Sequence, residues 1–329
     1  MKMGRRAHHD VAREGQWRSR CFGAGLAVSV VAAILTGCSI FHKRSIGETP
    51  SPSTLDDVQS VKILPHKSES SAPVVGLALG GGGLRGYAHI GVLQALEESG
   101  VSVAVVAGTS AGSIVGAAYA SGRTIEEIRQ AAENLDVSSL TDWRLSAASL
   151  LHGDALAKWA SDMAQNMPIE KMPRRFGAVA AILDTGEAVL IDKGDVGMAI
   201  RASAAIPGSM PPVESTLGML VDGGISSLVP VRFARAMGAE VVIGVDVYCN
   251  SPPRSGSSFL TTIARASRTQ TCLISGVERE EADILITPSV EITDMKSTVQ
   301  REEAILAGYH AAKSAMPALF DAATVGSPP

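Results

Sequence analysis

Two short apolar runs, each breaking into glycine-rich sequence and then a helix-like segment, set the tightest limit on how this chain folds. Val74–Leu79 leads into Gly80-Gly81-Gly82-Gly83-Leu84-Arg85-Gly86, and Val101–Val106 leads into Gly108-Thr109-Ser110-Ala111-Gly112. After the first, Tyr87, Ile90, Leu93 and Leu96 recur at helical spacing, and Gly100 marks a stop. After the second, small residues continue as a helix through Ala120. Strands alternating with helices in this way indicate an α/β fold with a mainly parallel sheet.

The remaining pattern extends that sheet. Phe176–Leu183 and Glu187–Ile191 flank Asp184-Thr185-Gly186 and read as a hairpin. Val196–Ala205 is expected to be helical up to Pro207, and Leu217–Val221 to be a strand ending at Asp222-Gly223-Gly224. Pro230–Met237 places proline in a first helical turn. Glu240–Val247 and Ile284–Thr287 read as further strands, and Glu302–Ala315 as a closing helix. The segment 137–172 has the look of an insertion. With 250–280 it is expected to shape any pocket. No internal repeat interrupts the pattern, and one domain over 73–318 with a tail over 319–329 accommodates it.

Composition excludes some functions. Hydrophobic residues make up 46% and charged residues 19%, which suits a packed globular chain. The formal charge of −4 comes with no basic stripe, so nucleic acid is not an expected partner. No cluster of metal-ligating residues stands out, and neither a metal nor another cofactor is expected.

The chemistry centres on Ser110. Gly108-Thr109-Ser110-Ala111-Gly112 fits G-x-S-x-G between a strand and a helix, where a sharp turn exposes the serine and needs small neighbours on both sides. A serine hydroxyl attacks poorly without a base. His89, His152 and His310 are the histidines of the folded region, and none occupies a loop where a hydrolase histidine belongs; His89 reads as a helix histidine with a satisfied ring. Asp222, at a strand mouth before Gly223 and Gly224, is the better base, because burial raises a carboxylate pKa. Backbone N–H groups of Gly81, Gly82 and Gly83, at the start of a helix, are suited to hold an oxyanion. Arg85 either steadies that loop or meets a phosphate head group.

The N-terminus has a separate character. Five arginines precede the apolar run Phe22–Leu35, which ends in Leu35-Thr36-Gly37-Cys38. This is the layout of an export signal over residues 1–37. The last four residues resemble the lipobox of bacterial lipoproteins, which implies cleavage before Cys38 and its acylation. Ser39 stands where aspartate would retain such a protein at the inner membrane, so the resemblance implies the outer membrane, facing the periplasm. Residues 38–72, rich in Ser, Pro and Thr, read as a flexible tether. Cys21 leaves with the signal; Cys249 and Cys272 then remain, either paired or as two free thiols.

Taken together, the glycine loop with Arg85, the Ser110 motif, Ala202-Ser203-Ala204-Ala205-Ile206-Pro207-Gly208 and Asp222-Gly223-Gly224 resemble the patatin-like phospholipases, in family order. The likeness is to the bacterial esterase branch related to neuropathy target esterase, and covers about residues 73–250. It implies a three-layer α/β/α fold and a Ser–Asp dyad, with Ser110 as nucleophile, Asp222 as base and the Gly81–Gly83 amides as oxyanion hole. Gly108, Gly112, Gly223 and Gly224 would support it. The implied substrate is a membrane lipid or other fatty-acyl ester, as for a phospholipase A, lysophospholipase or esterase.

Other readings have specific weaknesses. Gly81-Gly82-Gly83-Leu84-Arg85-Gly86 fits a dinucleotide fingerprint, but the second strand ends in Ala107-Gly108-Thr109 without the acidic ribose ligand. Asp184-Thr185-Gly186 suggests an aspartic protease only until its hairpin context is considered. A lipid-binding or scaffolding lipoprotein with little activity is the alternative from a different class, and the intact Ser110, Asp222 and glycine loop argue against it.

Overall fold

A computed structural model describes residues 48–61, 73–136, 140, 152–253 and 255–325. The expected signal and Cys38 lie outside these residues. In chain order the elements are β1 (Ser53–Thr54), α1 (Leu55–Ser60), β2 (Val75–Leu79), α2 (Tyr87–Glu98), β3 (Val103–Thr109), α3 (Ala111–Ala120), α4 (Ile125–Glu133) and α5 (Asp154–Met163). The hairpin β4 (Arg175–Ile182) and β5 (Ala188–Ile191) follows, then α6 (Val196–Ser203), β6 (Val213–Ser215), β7 (Gly218–Asp222), α7 (Val231–Ala236) and β8 (Val241–Val245). Next come α8 (Phe259–Ile274), α9 (Gly276–Glu280), β9 (Ile284–Ile286) and α10 (Thr298–Val325).

One sheet runs in the order β1-β5-β4-β3-β2-β8-β9. The five strands from β4 to β9 along this path are parallel, while β5, β1 and the β6–β7 pair attach antiparallel. Alternate side chains leave opposite faces of a strand. Leu77, Leu79, Phe176, Ala178 and Ala180 therefore enter the larger core with α2 and α10. Ala78, Val105, Ala107 and Val179 enter the smaller one under α1 and α7. The result is the expected three-layer α/β/α arrangement.

Two boundaries differ from the sequence reading. Part of the expected tether is folded: β1 pairs with β5, and Val58 of α1 is buried in the smaller core. Thr54 and Asp57 form a capping box that starts α1, the local signal that a Ser/Pro/Thr-rich composition concealed. At the other end, α10 continues to Val325 and buries Leu319, so the expected tail is helical over most of its length. Cys249 and Cys272 are paired as a disulfide.

The α2–α10 contact depends on two glycines. A Cβ at Gly91 would lie 1.8 Å from the Ile305 carbonyl oxygen, and one at Gly308 would lie 1.9 Å from that of Ala88. Backbone touches backbone in both directions, so neither helix can move aside without opening the core. Gly91→Ala and Gly308→Ala are each expected to lower unfolding free energy by about 1–3 kcal/mol in denaturant melts, whereas Gly100→Ala, with open space around its Cβ, is limited to the strain of its positive φ.

Candidate active site

β4 determines where the site forms. Along one edge it pairs parallel with β3 as far as Thr109↔Val179. The same edge then accepts β7 antiparallel, beginning with Ala180↔Asp222. Thr109 and Asp222 thus face consecutive residues of one strand. Ser110 follows immediately, so a serine hydroxyl and a carboxylate 112 positions apart in the chain meet at the end of β3.

Ser110 adopts φ 52°, ψ −119°, outside the regions a serine ordinarily occupies. Packing and hydrogen bonds hold it there. Its N–H donates to Ser203 Oγ (2.9 Å), and Ser203 Oγ–H donates in turn to the Val179 carbonyl (2.6 Å). Ser113 Oγ–H bonds the Ser110 carbonyl at 2.6 Å, and Thr109 Oγ1–H bonds that of Ser227 at 2.9 Å. The neighbouring glycines are required by space. A Cβ at Gly112 would sit 2.0 Å from the Leu79 carbonyl oxygen, and one at Gly108 2.5 Å from that of Gly112.

Asp222 is buried and fixed by three contacts. Its N–H donates to the Ala205 carbonyl (3.0 Å), its Oδ1 accepts from Gly224 N–H (2.8 Å), and Gly223 packs where a Cβ would meet the Val179 carbonyl oxygen at 2.4 Å. Burial raises its pKa from 3.8 to about 6, opposed by the adjacent Ser110 hydroxyl and the Gly224 N–H. A base that titrates near neutrality can both take and return a proton.

The glycine loop borders the same cleft, a volume of about 370 Å³ whose walls include Gly81, Gly82, Gly83, Ser110 and Asp222. One expectation changes here. Gly81 N–H already donates to the Leu228 carbonyl at 3.0 Å, because the loop must be anchored before it can present anything. Among the described residues no group accepts from Gly82 or Gly83 N–H, so these two amides, and not that of Gly81, are left without a partner beside the cleft. Arg85 steadies the loop: Nε donates to the Val290 carbonyl (3.3 Å), Nη2 to that of Pro252 (3.4 Å), and the guanidinium stacks over Tyr248.

His89 is no base in this arrangement. It is fully buried behind the loop, with Nε2 2.8 Å from the Gly80 carbonyl, and desolvation lowers its pKa to about 4. Since a carbonyl only accepts, Nε2 carries the proton and the ring is neutral. Among the described residues no group of three or more His, Cys, Asp or Glu is placed to hold a metal ion.

The segment Ala202–Pro207 contributes more than the sequence alone assigned to it. Ser203 holds the Ser110 amide, the Ala205 carbonyl holds the Asp222 amide, and Ile206 and Pro207 line the cleft. Of the two segments expected to shape the pocket, 250–280 does so through α8. No described residue of 152–172 lines it.

Residues 77–235 match the family model Patatin-like phospholipase. Over that stretch the chain is similar to the patatin-like phospholipases. It is 40% identical over 181 residues to an uncharacterized NTE family protein of Mycobacterium tuberculosis, covering 54% of this chain and 50% of that protein. It is also 36% identical over 182 residues to patatin-like phospholipase domain-containing protein 6 of Mus musculus, covering 53% of this chain and 13% of that one. The chain spans about half the length, or less, of these curated relatives. Among solved structures, VipD from Legionella pneumophila aligns with TM-score 0.48 and 14% identity, over 86% of this chain and 72% of that one. Residue roles in this chain rest on its own geometry.

The raised Asp222 pKa has a stability consequence. The folded state holds this proton more tightly than the unfolded chain, so the contribution is complete below pH 3.8 and is lost as pH rises through about 6. Above that range the buried carboxylate costs on the order of 3 kcal/mol. Asp222→Asn is expected to be more stable than the wild type at pH 8, with the difference vanishing towards pH 4, in denaturant melts at both values.

Proposed function

We propose that this protein is a lipid acyl hydrolase that works through an acyl-serine intermediate. The observation that carries the proposal is the convergence of Ser110, buried Asp222 and the unpartnered Gly82 and Gly83 amides on one cleft. Ser110 Oγ attacks the ester carbonyl while its proton passes to Asp222. Negative charge gathers on the carbonyl oxygen, to which the Gly82 and Gly83 N–H groups donate; each such donor contributes about 3 kcal/mol to lowering the barrier. Collapse of the tetrahedral species breaks the ester C–O bond, and Asp222 delivers its proton to the departing alcohol oxygen. A water molecule then loses a proton to Asp222 as it attacks the acyl-serine. That proton returns to Ser110 as the fatty acid leaves.

The substrate in this reading is a membrane phospholipid, lysophospholipid or related fatty-acyl ester. It draws support from the patatin-like domain and from apolar wall residues such as Leu84, Ile206, Leu228 and Ile292. The dyad, the carboxylic ester hydrolase class and the site residues belong to the same proposal. So does location: cleavage before Cys38 and acylation of its thiol would anchor the protein in the outer membrane, facing the periplasm, as the Leu35–Cys38 sequence supports.

Turnover of a short-chain p-nitrophenyl ester tests the mechanism. Ser110→Ala and Asp222→Asn are each expected to lower kcat by at least about a thousandfold, with His89→Gln retaining most of it. Loss of activity in folded His89→Gln together with survival in Asp222→Asn would reverse the assignment of the base. The wild-type pH–rate profile should rise with an apparent pKa of about 6 as Asp222 ionises.

A further inference from the structure

The helix α8 is amphipathic in the wrong sense for a helix on a water-soluble domain. An ordinary surface helix buries its apolar stripe and exposes its polar face. Here Phe259 is 78% exposed, Leu260 75%, Ile263 51%, Leu273 74% and Ile274 58%, and Val277 of α9 continues the stripe at 65%. At 100° per residue these side chains fall on one side of the helix. The half-buried positions on the other side are Thr261, Arg268, Thr271 and the disulfide-bonded Cys272. No residue of α8 is fully buried.

Polar contacts and one covalent bond hold this orientation. Arg268 Nη2 donates to the carbonyls of Tyr248 (3.0 Å), Cys249 (2.9 Å) and Ser251 (2.5 Å), with its guanidinium over the Tyr248 ring. The Cys249–Cys272 disulfide fastens the C-terminal turn of α8 to the same loop. Asp246 accepts from Tyr248 and Cys249 N–H (2.8 and 2.9 Å) and pairs with Arg279, which ties that loop to the end of β8 and to α9. Rolling the helix to bury its apolar side would break the Arg268 hydrogen bonds and is opposed by the Cys249–Cys272 link. The apolar side is held outward.

Two observations identify what covers it. The inner side of α8 is a wall of the Ser110 cleft, through Ala264, Arg265, Ser267, Arg268 and Thr271, so the apolar face and the cleft mouth are two sides of one helix. The charge pattern is also asymmetric. From Val247 to Val277 the sequence holds three arginines and neither aspartate nor glutamate, in a chain whose formal charge is −4. An apolar stripe in an acid-free stretch fits an anionic bilayer surface, where apolar side chains enter the acyl boundary, no carboxylate of the stretch opposes the lipid phosphates, and the exposed Arg265 at the cleft rim is left for head groups. A second copy of this acidic chain does not supply that combination of hydrocarbon and dense negative charge.

We propose that the outward face of α8 and Val277 docks on an anionic phospholipid surface and sets the mouth of the Ser110 cleft against the lipid from which it draws substrate. The inference rests on the hydrolase reading for its purpose but not for its test. In the full chain bearing Cys38→Ser, so that no acyl anchor delivers it to lipid, Phe259→Trp supplies a reporter, read as the difference from the same chain without the tryptophan. Phosphatidylglycerol vesicles are expected to shift its emission to shorter wavelength, and vesicles of brominated phosphatidylglycerol to quench it. An unchanged spectrum would overturn the proposal. An emission already blue-shifted without vesicles would overturn it too, since another part of the chain or a second copy would then cover the face.

A second measurement reads function. The variant Phe259→Ser/Leu260→Ser/Ile263→Ser is expected to hydrolyse vesicle phospholipid at least about tenfold more slowly than the wild type, with turnover of a monomeric short-chain ester within about twofold. Equal loss on both substrates, or on neither, would contradict docking. If the wild type cleaves no ester at all, the hydrolase reading fails and the tryptophan measurement alone decides the docking surface.

Discussion

The edge of β4 is shared between two strands arriving from opposite directions, and the rest of the site depends on that sharing. β3 occupies the edge up to Val179 and β7 takes it from Ala180. Backbone hydrogen bonding of this kind fixes register, and a slip of one residue would turn Asp222 to the other face of the sheet. Around the junction the Val179 carbonyl accepts from Ser203, and Gly223 packs against it. Ser203 reaches back to the Ser110 amide. Placement of Ser110 and Asp222, the proposed nucleophile and base, is thus set by main-chain pairing and small residues.

In the proposed mechanism that arrangement puts a carboxylate where a histidine is often found. Asp222 is desolvated enough for its pKa to rise to about 6, yet it keeps one N–H donor and the serine hydroxyl beside it. The histidine that is near at hand has been assigned a structural task. His89 supports the Gly80 carbonyl from behind, while Gly81 is anchored to Leu228, and both contacts stiffen the loop whose next two amides are left unpaired. Donors aimed in advance at a developing charge need no reorganisation when it appears.

Much of this was legible in the sequence because it is local. The Ser110 turn is encoded by five consecutive residues, and the glycine loop by its position between an apolar run and a helix. Asp222 was found from a strand end next to two glycines. The features that escaped are those set by residues far apart in the chain. Nothing in Ser203 announces that it will hold the Ser110 amide 93 positions away. The occupation of Gly81 N–H depends on where Leu228 arrives after β7. The capping box at Thr54 was visible in principle, but the surrounding Ser/Pro/Thr composition pointed to a tether, and only the pairing of β1 with β5 gives that short segment a place. For α8 the periodicity reads as an ordinary amphipathic helix. Which side faces inward is decided by Arg268 and by the Cys249–Cys272 bond, so sequence periodicity alone cannot show that the polar side is the buried one.

The central proposal is that Ser110 is made nucleophilic by its strained turn and by Asp222, with the unpaired Gly82 and Gly83 amides left to hold the oxyanion. Mass mapping of the protein after treatment with a fluorophosphonate, which phosphonylates an activated serine, tests it most directly. The account predicts one adduct, on the peptide carrying Ser110, formed faster as pH rises through about 6. A folded protein that takes up no phosphonate, or takes it on a different serine, would contradict it.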